Sequence, residues 1–290
     1  MTVYLNGGFV SQEAAVVSVY DHGLLYGDGI FEGIRIYSGK IFRLEEHLRR
    51  FFDSAKAILL QVPLPPDKLA AALQEGVKRY GKDEGYIRLV ATRGPGDLGL
   101  DPDKCSAPTL FFIIDTISLY PEKFYREGIP VVTASSRRLP ADGLDPRVKT
   151  LNYLNNIMAK VEAKQAGCIE AVMLNQRGEV AECTADNIFI VRDGVLATPA
   201  PHCGILQGIT RQTVLELAIE EGSSARETVL TRFDLYPADE CFMTGSGAEI
   251  VPVARIDGRI IGSGNPGPVT ERLHHAFKRL VGGQSLAKVR

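Results

Sequence analysis

What this chain has little of narrows its chemistry first. Its 290 residues hold five cysteines, scattered at Cys105, Cys168, Cys183, Cys203 and Cys241 with no C-x-x-C pair. An odd, dispersed set excludes a disulfide framework and a structural zinc site, so no metal is expected and a reducing, cytoplasmic setting is. No purely apolar run exceeds Leu110 to Ile114, far too short to cross a bilayer. The opening MTVYLNGGFV has no positive stretch ahead of an apolar one, so a secretory leader is not expected either. The net charge is −2 with no basic block, which sets aside nucleic acid and anionic membranes as partners. There is no internal repeat, no low-complexity segment and no G-x-G-x-x-G at a strand-to-helix turn, so a dinucleotide-binding unit of the usual kind is excluded.

What is present reads as an ordinary soluble enzyme-sized chain, 45% hydrophobic and 23% charged, long enough for one large domain or two smaller ones. Asn6-Gly7-Gly8 and Ser38-Gly39-Lys40 mark two hairpins, Val3 to Val10 and Ile30 to Arg43. Leu44, Leu48, Phe51, Phe52, Ala55 and Leu59 form one helical stripe, and a second helix is expected over 67–79. Tyr86 to Thr92 and Thr109 to Asp115 read as buried strands, giving an α+β unit over residues 1–120. A linker is expected over 121–130 and a second domain over 131–290. In that domain, hairpins turn at Asn175 to Gly178 and at Asp193-Gly194, a helix follows Gly208, and a last helix follows Pro268.

The stretch DPRVKTLNYLNNIMAK, from Asp145 to Lys160, is the centre of the functional reading. Asp145-Pro146 is extended or turned, because the residue before proline avoids the helical region. Leu151, Leu154, Met158 and Val161 then recur at helical spacing, leaving Lys149 just outside a helix with Tyr153 one turn away. A lysine at such a junction, beside a phenol, can serve as a Schiff-base nucleophile, although a lone lysine there is more often a surface group.

Its company favours chemistry. Gly208-Ile209-Thr210 opens a helix, where free N–H groups welcome an anion such as phosphate unless Thr210 is merely the cap. Thr244-Gly245-Ser246-Gly247 is a second glycine-rich turn able to form an anion nest. Glu182 alternates with Ala181 and Cys183 on a strand. On a buried face it needs a cationic partner, and the protonated ring nitrogen of pyridoxal phosphate would be one.

Taken together, LNGGFV, SVYDHGLLYGDGIFEGIRIY, YIRLVATRGPGDLGLDP, RVKTLNYLNN, GEVAECTADNIF, GITRQTVLEL and MTGSGAEIVPV resemble the fold-type IV pyridoxal phosphate enzymes over nearly the whole chain. Within that group the chain is similar to the branched-chain amino acid aminotransferases. The resemblance implies a D-amino acid aminotransferase-like fold, with a small N-terminal α/β domain and a larger C-terminal pseudo-barrel. It implies that Lys149 forms the Schiff base, Tyr153 touches the phenolic oxygen and Glu182 pairs with the ring nitrogen. Arg50, Ile209, Thr210 and Ser246 would hold the phosphate, with Leu206 packed on the ring. Helical periodicity alone turns Arg50 away from the Leu48/Phe51/Phe52 stripe, so its role requires a second covered face with His47 and Ser54. The substrate pocket would take Phe31, Gly33, Tyr86, Arg88, Gly247 and Ala248. Tyr26 and Leu100 match positions given by a neighbouring subunit, which implies a homodimer or a larger homo-oligomer.

The implied activity interconverts leucine, isoleucine or valine with their 2-oxo acids, using glutamate and 2-oxoglutarate as the other pair. D-amino acid transaminases and aminodeoxychorismate lyases share the fold and are the rival readings. The first resemble one another in an Arg-x-His after a Thr-Arg-Gly, whereas Thr92-Arg93-Gly94 is followed here by PGDLGLDP. The lyases lack the Tyr86/Arg88 pair. A cofactor-free binding protein on the same scaffold is the reading from another class.

Overall fold

The computed structural model describes residues 1–282 and divides into two compact units, each built around its own sheet. Residues 1–117 together with 148–152 make the first, and 118–147 with the chain from 153 onward make the second.

The first unit contains β1 (Thr2–Leu5), β2 (Gly8–Val10), α1 (His22–Tyr26), β3 (Gly29–Tyr37), β4 (Lys40–Ile41), α2 (Leu44–Ala57), α3 (Pro66–Tyr80), β5 (Gly85–Thr92) and β6 (Thr109–Asp115). Its six strands are antiparallel, in the order β2-β1-β6-β5-β3-β4. Both expected hairpins are present. Asn6 and Gly7 sit at φ 46° and 99°, and Ser38 and Gly39 at 48° and 72°, the left-handed pairs that match strand twist. Alternation sends Ile30, Ile34, Ile36, Ile87 and Leu89 to one sheet face, where Leu48, Phe51, Leu69 and Leu73 of α2 and α3 cover them. Leu59 leaves the expected stripe: α2 has ended, the residue turns left-handed at φ 53°, and its side chain is exposed.

Residues 148–152 belong to this unit because they add a short rung to the edge of β3. The Phe31 amide donates to the Lys149 carbonyl (3.0 Å) and the Leu151 amide to the Gly29 carbonyl (2.9 Å). A backbone committed to those bonds cannot also be helical, so the helix expected from Leu151 starts instead at Leu154.

The second unit carries α4 (Glu122–Glu127), β7 (Ile129–Thr133), α5 (Leu154–Gln165), β8 (Glu170–Leu174), β9 (Val180–Cys183), β10 (Asn187–Arg192), β11 (Val195–Pro199), α6 (Ile209–Glu220) and β12 (Ser224–Thr228). It continues with α7 (Arg232–Leu235), β13 (Glu240–Gly245), β14 (Glu249–Ile256), β15 (Arg259–Ile260) and α8 (Pro268–Val281). The sheet runs β12-β11-β10-β13-β14-β7-β8-β9, with β15 on the edge of β14. It is mixed, because β7 lies parallel to both β14 and β8, and β12 parallel to β11. Strand β9 also contacts β10 and β11, so the sheet curls back on itself. With helices grouped against antiparallel and mixed sheets, the chain has the expected α+β character.

The apolar stripe read on α5 does not face this core. Leu154, Met158 and Val161 are exposed, and the buried residues are Asn156, Ala159 and Ala163. Small side chains let the helix lie close against β8, and that close approach, not the larger residues, selects the inner face. Among the described residues no helix is long and apolar enough to cross a membrane, and no His/Cys/Asp/Glu group could hold a metal ion.

Candidate active site

In the first unit, the face of β3 and β5 opposite the helices collects a reactive amine, two aromatic rings and a cation. Phe31 and Gly33 alternate outward from the core on β3, and Tyr86 and Arg88 do so on the paired β5, with Gly33 opposite Arg88. The Lys149 Nζ lies 4.5 Å from the Phe31 ring centroid, and the Arg88 guanidinium carbon lies 4.6 Å from the same ring and 5.7 Å from that of Tyr86. Both cations thus sit within cation–π range of one nearly buried phenyl ring. Gly33 is required by close packing, since a Cβ there would come within 1.9 Å of the Tyr86 hydroxyl. The Lys149 backbone is pinned from two directions, by the Phe31 amide (3.0 Å) and by its own N–H donating to Ser54 Oγ (3.1 Å). The structure therefore brings Lys149, Phe31, Gly33, Tyr86 and Arg88 together on one sheet face.

Helix α2 does have a second covered face. His47 and Ser54 are buried and the Arg50 side chain is only 14% exposed. What covers it is polar: Glu32, wholly buried on β3, takes Arg50 Nε at 2.7 Å and Nη2 at 2.8 Å on its two oxygens. His47 Nδ1 adds a third contact at 2.8 Å, and facing a carboxylate it must carry the hydrogen. Burial pushes the Glu32 carboxyl up, but Arg50 and His47 together hold it well below the usual carboxylate range. Burial pushes the His47 imidazole down, and Glu32 recovers only part of that shift. Neither Glu32 nor His47 was singled out for the site by periodicity, because a buried polar face leaves no hydrophobic stripe to read.

Tyr26, on α1, and Leu100 are exposed at 38% and 81%. Val16, Val17, Val19, Tyr20, Leu24 and Leu98 of the same unit are exposed apolar residues as well.

In the second unit the sequence-predicted residues lie on β9, at the start of α5 and α6 and in two turns. Glu182 is buried, and the cation that meets it within the chain is an arginine, a different group from the ring nitrogen expected for it: Arg138 Nη2 stands 2.6 Å from Oε1. Asn187 Nδ2 (3.1 Å) and the Leu206 amide (3.0 Å) donate to the other oxygen, Oε2, which places Leu206 beside the carboxylate. Arg138 is a residue that sequence reasoning missed, because it lies far upstream in a loop with no periodicity. Tyr153, half-buried, is the N-cap residue of α5.

Gly208, not Thr210, is the N-cap of α6, and no side chain caps the first turn of this twelve-residue helix. The Ile209 and Thr210 N–H groups therefore open the helix without a side-chain acceptor from the cap. Thr244 and Gly245 end β13, and Ser246, Gly247 and Ala248 form the connection to β14. The Thr244 hydroxyl is buried without a hydrogen-bond partner, an orphan that an anion at this turn would satisfy.

These features fit pyridoxal phosphate. An amine stands in an extended segment beside an aromatic ring, a buried carboxylate accepts three hydrogen bonds including one from a cation, and an uncapped helix start and an orphaned hydroxyl suit a phosphate.

Comparison with known proteins points the same way. The profile of the family described as amino-transferase class IV matches residues 29–256. A relative from Methanocaldococcus jannaschii is 51% identical over 96% of each chain. The branched-chain-amino-acid aminotransferase of Pseudomonas aeruginosa is 37% identical, over 98% of this chain and 94% of that one. The D-alanine aminotransferase of Listeria monocytogenes is 38% identical over 96% and 95%. Among solved structures, the T.th. branched-chain amino acid aminotransferase with pyridoxamine 5'-phosphate superposes with a TM-score of 0.94 at 40% identity, over 98% of this chain and 95% of that one.

Proposed function

This chain belongs to the class IV aminotransferases, and on that premise we propose that it exchanges amino groups between branched-chain L-amino acids and 2-oxo acids, with glutamate and 2-oxoglutarate as the other pair. The observation that carries the reading is Lys149, whose amine lies 4.5 Å over Phe31 on the sheet face shared with Gly33, Tyr86 and Arg88. Phe31 and Tyr86 suit an aliphatic side chain. Arg88 suits the distal carboxylate of glutamate, which an apolar wall alone would reject.

Pyridoxal phosphate, when bound, supplies an aldehyde that condenses with amines and a ring that withdraws electrons. Lys149 would hold it covalently, with Tyr153 at its phenolic oxygen and Leu206 against its ring. Arg50, the Ile209 and Thr210 amides and Ser246 would take the phosphate, and Glu182 the ring nitrogen. The freed Lys149 amine would be the proton carrier, taking the proton from the substrate α-carbon as a base and delivering it as an acid to the former aldehyde carbon. Glu32 and His47 keep Arg50 aimed, and Asn187 and the Leu206 amide fix the orientation of Glu182. Gly247 and Ala248 would complete the substrate pocket.

The exposed apolar side chains of Val16, Val19, Leu24, Tyr26 and Leu100 support a homodimer in which Tyr26 and Leu100 serve the partner's pocket. Five cysteines without a disulfide support a cytoplasmic setting.

The 38% identity to a D-alanine aminotransferase makes D-amino acid transfer the second reading. Against it, Arg93 is tied into the scaffold here, bidentate on Asp28 at 2.9 and 3.0 Å, and no histidine follows it in PGDLGLDP. A panel of L- and D-amino acids against 2-oxoglutarate separates the two. Rapid exchange with L-leucine, L-isoleucine and L-valine, and little with D-alanine, is expected. The reverse preference would overturn the proposal.

A further inference from the structure

Arg138 is built into the second unit with more care than a surface arginine needs. Its backbone amide donates to the Leu174 carbonyl (2.8 Å) and its carbonyl accepts from Gln176 Nε2 (3.2 Å). Its guanidinium is gripped on two sides: Nη1 donates to Asn156 Oδ1 (2.8 Å), and Nη2 meets Glu182 Oε1 (2.6 Å). Asn156 is itself anchored by donating to the Thr184 carbonyl (2.7 Å). The arginine and glutamate side chains are only 9% and 5% exposed. Meanwhile Arg138 Nε is buried with no hydrogen-bond partner. Burying an ion pair is seldom a net gain in stability, and leaving one of its N–H groups unmet makes it less so. The arrangement holds a positive charge at Glu182 at some cost to the fold.

We propose that Arg138 sets the charge at Glu182, so that the pyridine nitrogen of the cofactor holds its proton less tightly than it would beside a lone glutamate. The inference rests on the assignment of Glu182 to that nitrogen. A carboxylate by itself makes the nitrogen retain its proton by Coulomb attraction. With Arg138 paired to it, the two protein charges cancel, and a proton on the nitrogen becomes a second positive charge in a buried place. Asn187 and the Leu206 amide donate to the same carboxylate and spread its charge further.

The other titratable groups packed around β9 are mostly matched among themselves or neutral. Glu170 of β8 is matched by Lys160 of α5 at 2.7 Å, and Arg177 and Glu179 at the β8–β9 turn match each other at 2.8 Å. Asp186, ahead of β10, is a buried acid. Burial pushes the Cys183 and Cys241 thiols and the Tyr120 phenol up, so they stay neutral through the middle pH range.

The test is the nitrogen-15 chemical shift of ring-labelled pyridoxal phosphate in the holoenzyme, followed against pH. Arg138→Gln removes the charge, and Asn156→Asp keeps Arg138 but neutralises it with a near-isosteric acid. Both should move loss of the ring proton upward by about one pH unit or more, tenfold or more in proton affinity. Arg138→Lys, which keeps the charge, should stay near wild type. The two charge-neutralising variants carry different folding risks, so one failing to fold leaves the other to decide. A ring-nitrogen titration that does not move in the folded neutralised variants, or that moves equally with lysine, would overturn the proposal. If borohydride-fixed cofactor is found in the wild type but its ring nitrogen does not respond to Glu182→Gln, the Glu182 assignment fails instead.

Discussion

Arg50 meets Glu32 through two nitrogens, Nε at 2.7 Å and Nη2 at 2.8 Å, and the glutamate is completely buried. This pair converts a helix position that would otherwise face solvent into a fixed guanidinium, with the imidazole of His47 completing the grip. Glu32→Gln should therefore act twice. Removing the negative charge from one side of a buried pair is strongly destabilising, so stability should fall by about 3 kcal/mol. Arg50 would also lose its aim, and the affinity for pyridoxal phosphate should fall at least about tenfold, or about 1.4 kcal/mol. Thermal melting and cofactor titration by absorbance check the two effects separately. A variant that melts lower yet binds cofactor normally would detach Arg50 from the phosphate.

The same cluster makes a statement about acid. His47 and Glu32 both take up protons less readily in the folded chain than at their ordinary values of 6.5 and 4.5. The unfolded chain thus binds more protons, and stability must rise with pH over those ranges. Stability should be complete above about pH 6.5, decline below it as unfolded His47 charges, and decline further below about 4.5 as unfolded Glu32 is protonated. Urea unfolding at a series of pH values measures this, and His47→Asn should flatten the upper part of the decline. A decline of the same shape in that variant would place the acid sensitivity elsewhere.

Gly33→Ala puts a Cβ where the Tyr86 hydroxyl now is, 1.9 Å away. That hydroxyl sits at the end of the Tyr86 side chain, which must swing aside, at a cost of about 1–3 kcal/mol typical of overpacking. Because Tyr86 walls the same face as Phe31, the loss should be read mainly as a raised KM for the bulky branched substrates, with the melting temperature moved by a few degrees. Unchanged KM values for leucine and isoleucine would mean this face does not line the pocket.

Arg88 is exposed on β5 with its guanidinium over Phe31 and Tyr86, at 4.6 and 5.7 Å from the ring centroids. Arg88→Leu should cost the glutamate half-reaction at least about tenfold more than the leucine half-reaction, since only glutamate brings a second carboxylate. Single-turnover measurements on each side separate the two. Equal losses would show that Arg88 binds the carboxylate common to all substrates and does not sort side chains.

The parts of this molecule written as local signals could be read before folding. Asn6-Gly7, Ser38-Gly39 and Asp193-Gly194 demand left-handed turns wherever they occur, and each makes its hairpin. Lys149 was legible as a residue at a boundary, but why it is held there was not. The rung that 148–152 adds to β3 joins residues more than a hundred positions apart, and no window along the chain contains both. The stripe on α5 misled because apolar spacing shows that a face will be covered, not by what. Ala159 and Ala163 are the ones that meet β8, while Leu154 and Met158 point outward in the single chain. Glu182 announced its need for a cation, yet Arg138 carries no mark of its own until the loop places it.

Lys149 is the residue on which the proposed chemistry depends most directly. Reducing the purified holoenzyme with borohydride should bleach its visible absorbance and fix one cofactor per chain, and peptide mapping should place the label on Lys149. The Lys149→Ala chain should fold with near-normal stability, since the side chain is half-buried in a coil segment, and should take up no label and turn over no substrate. Label on a different lysine, or transamination that survives in Lys149→Ala, would contradict it.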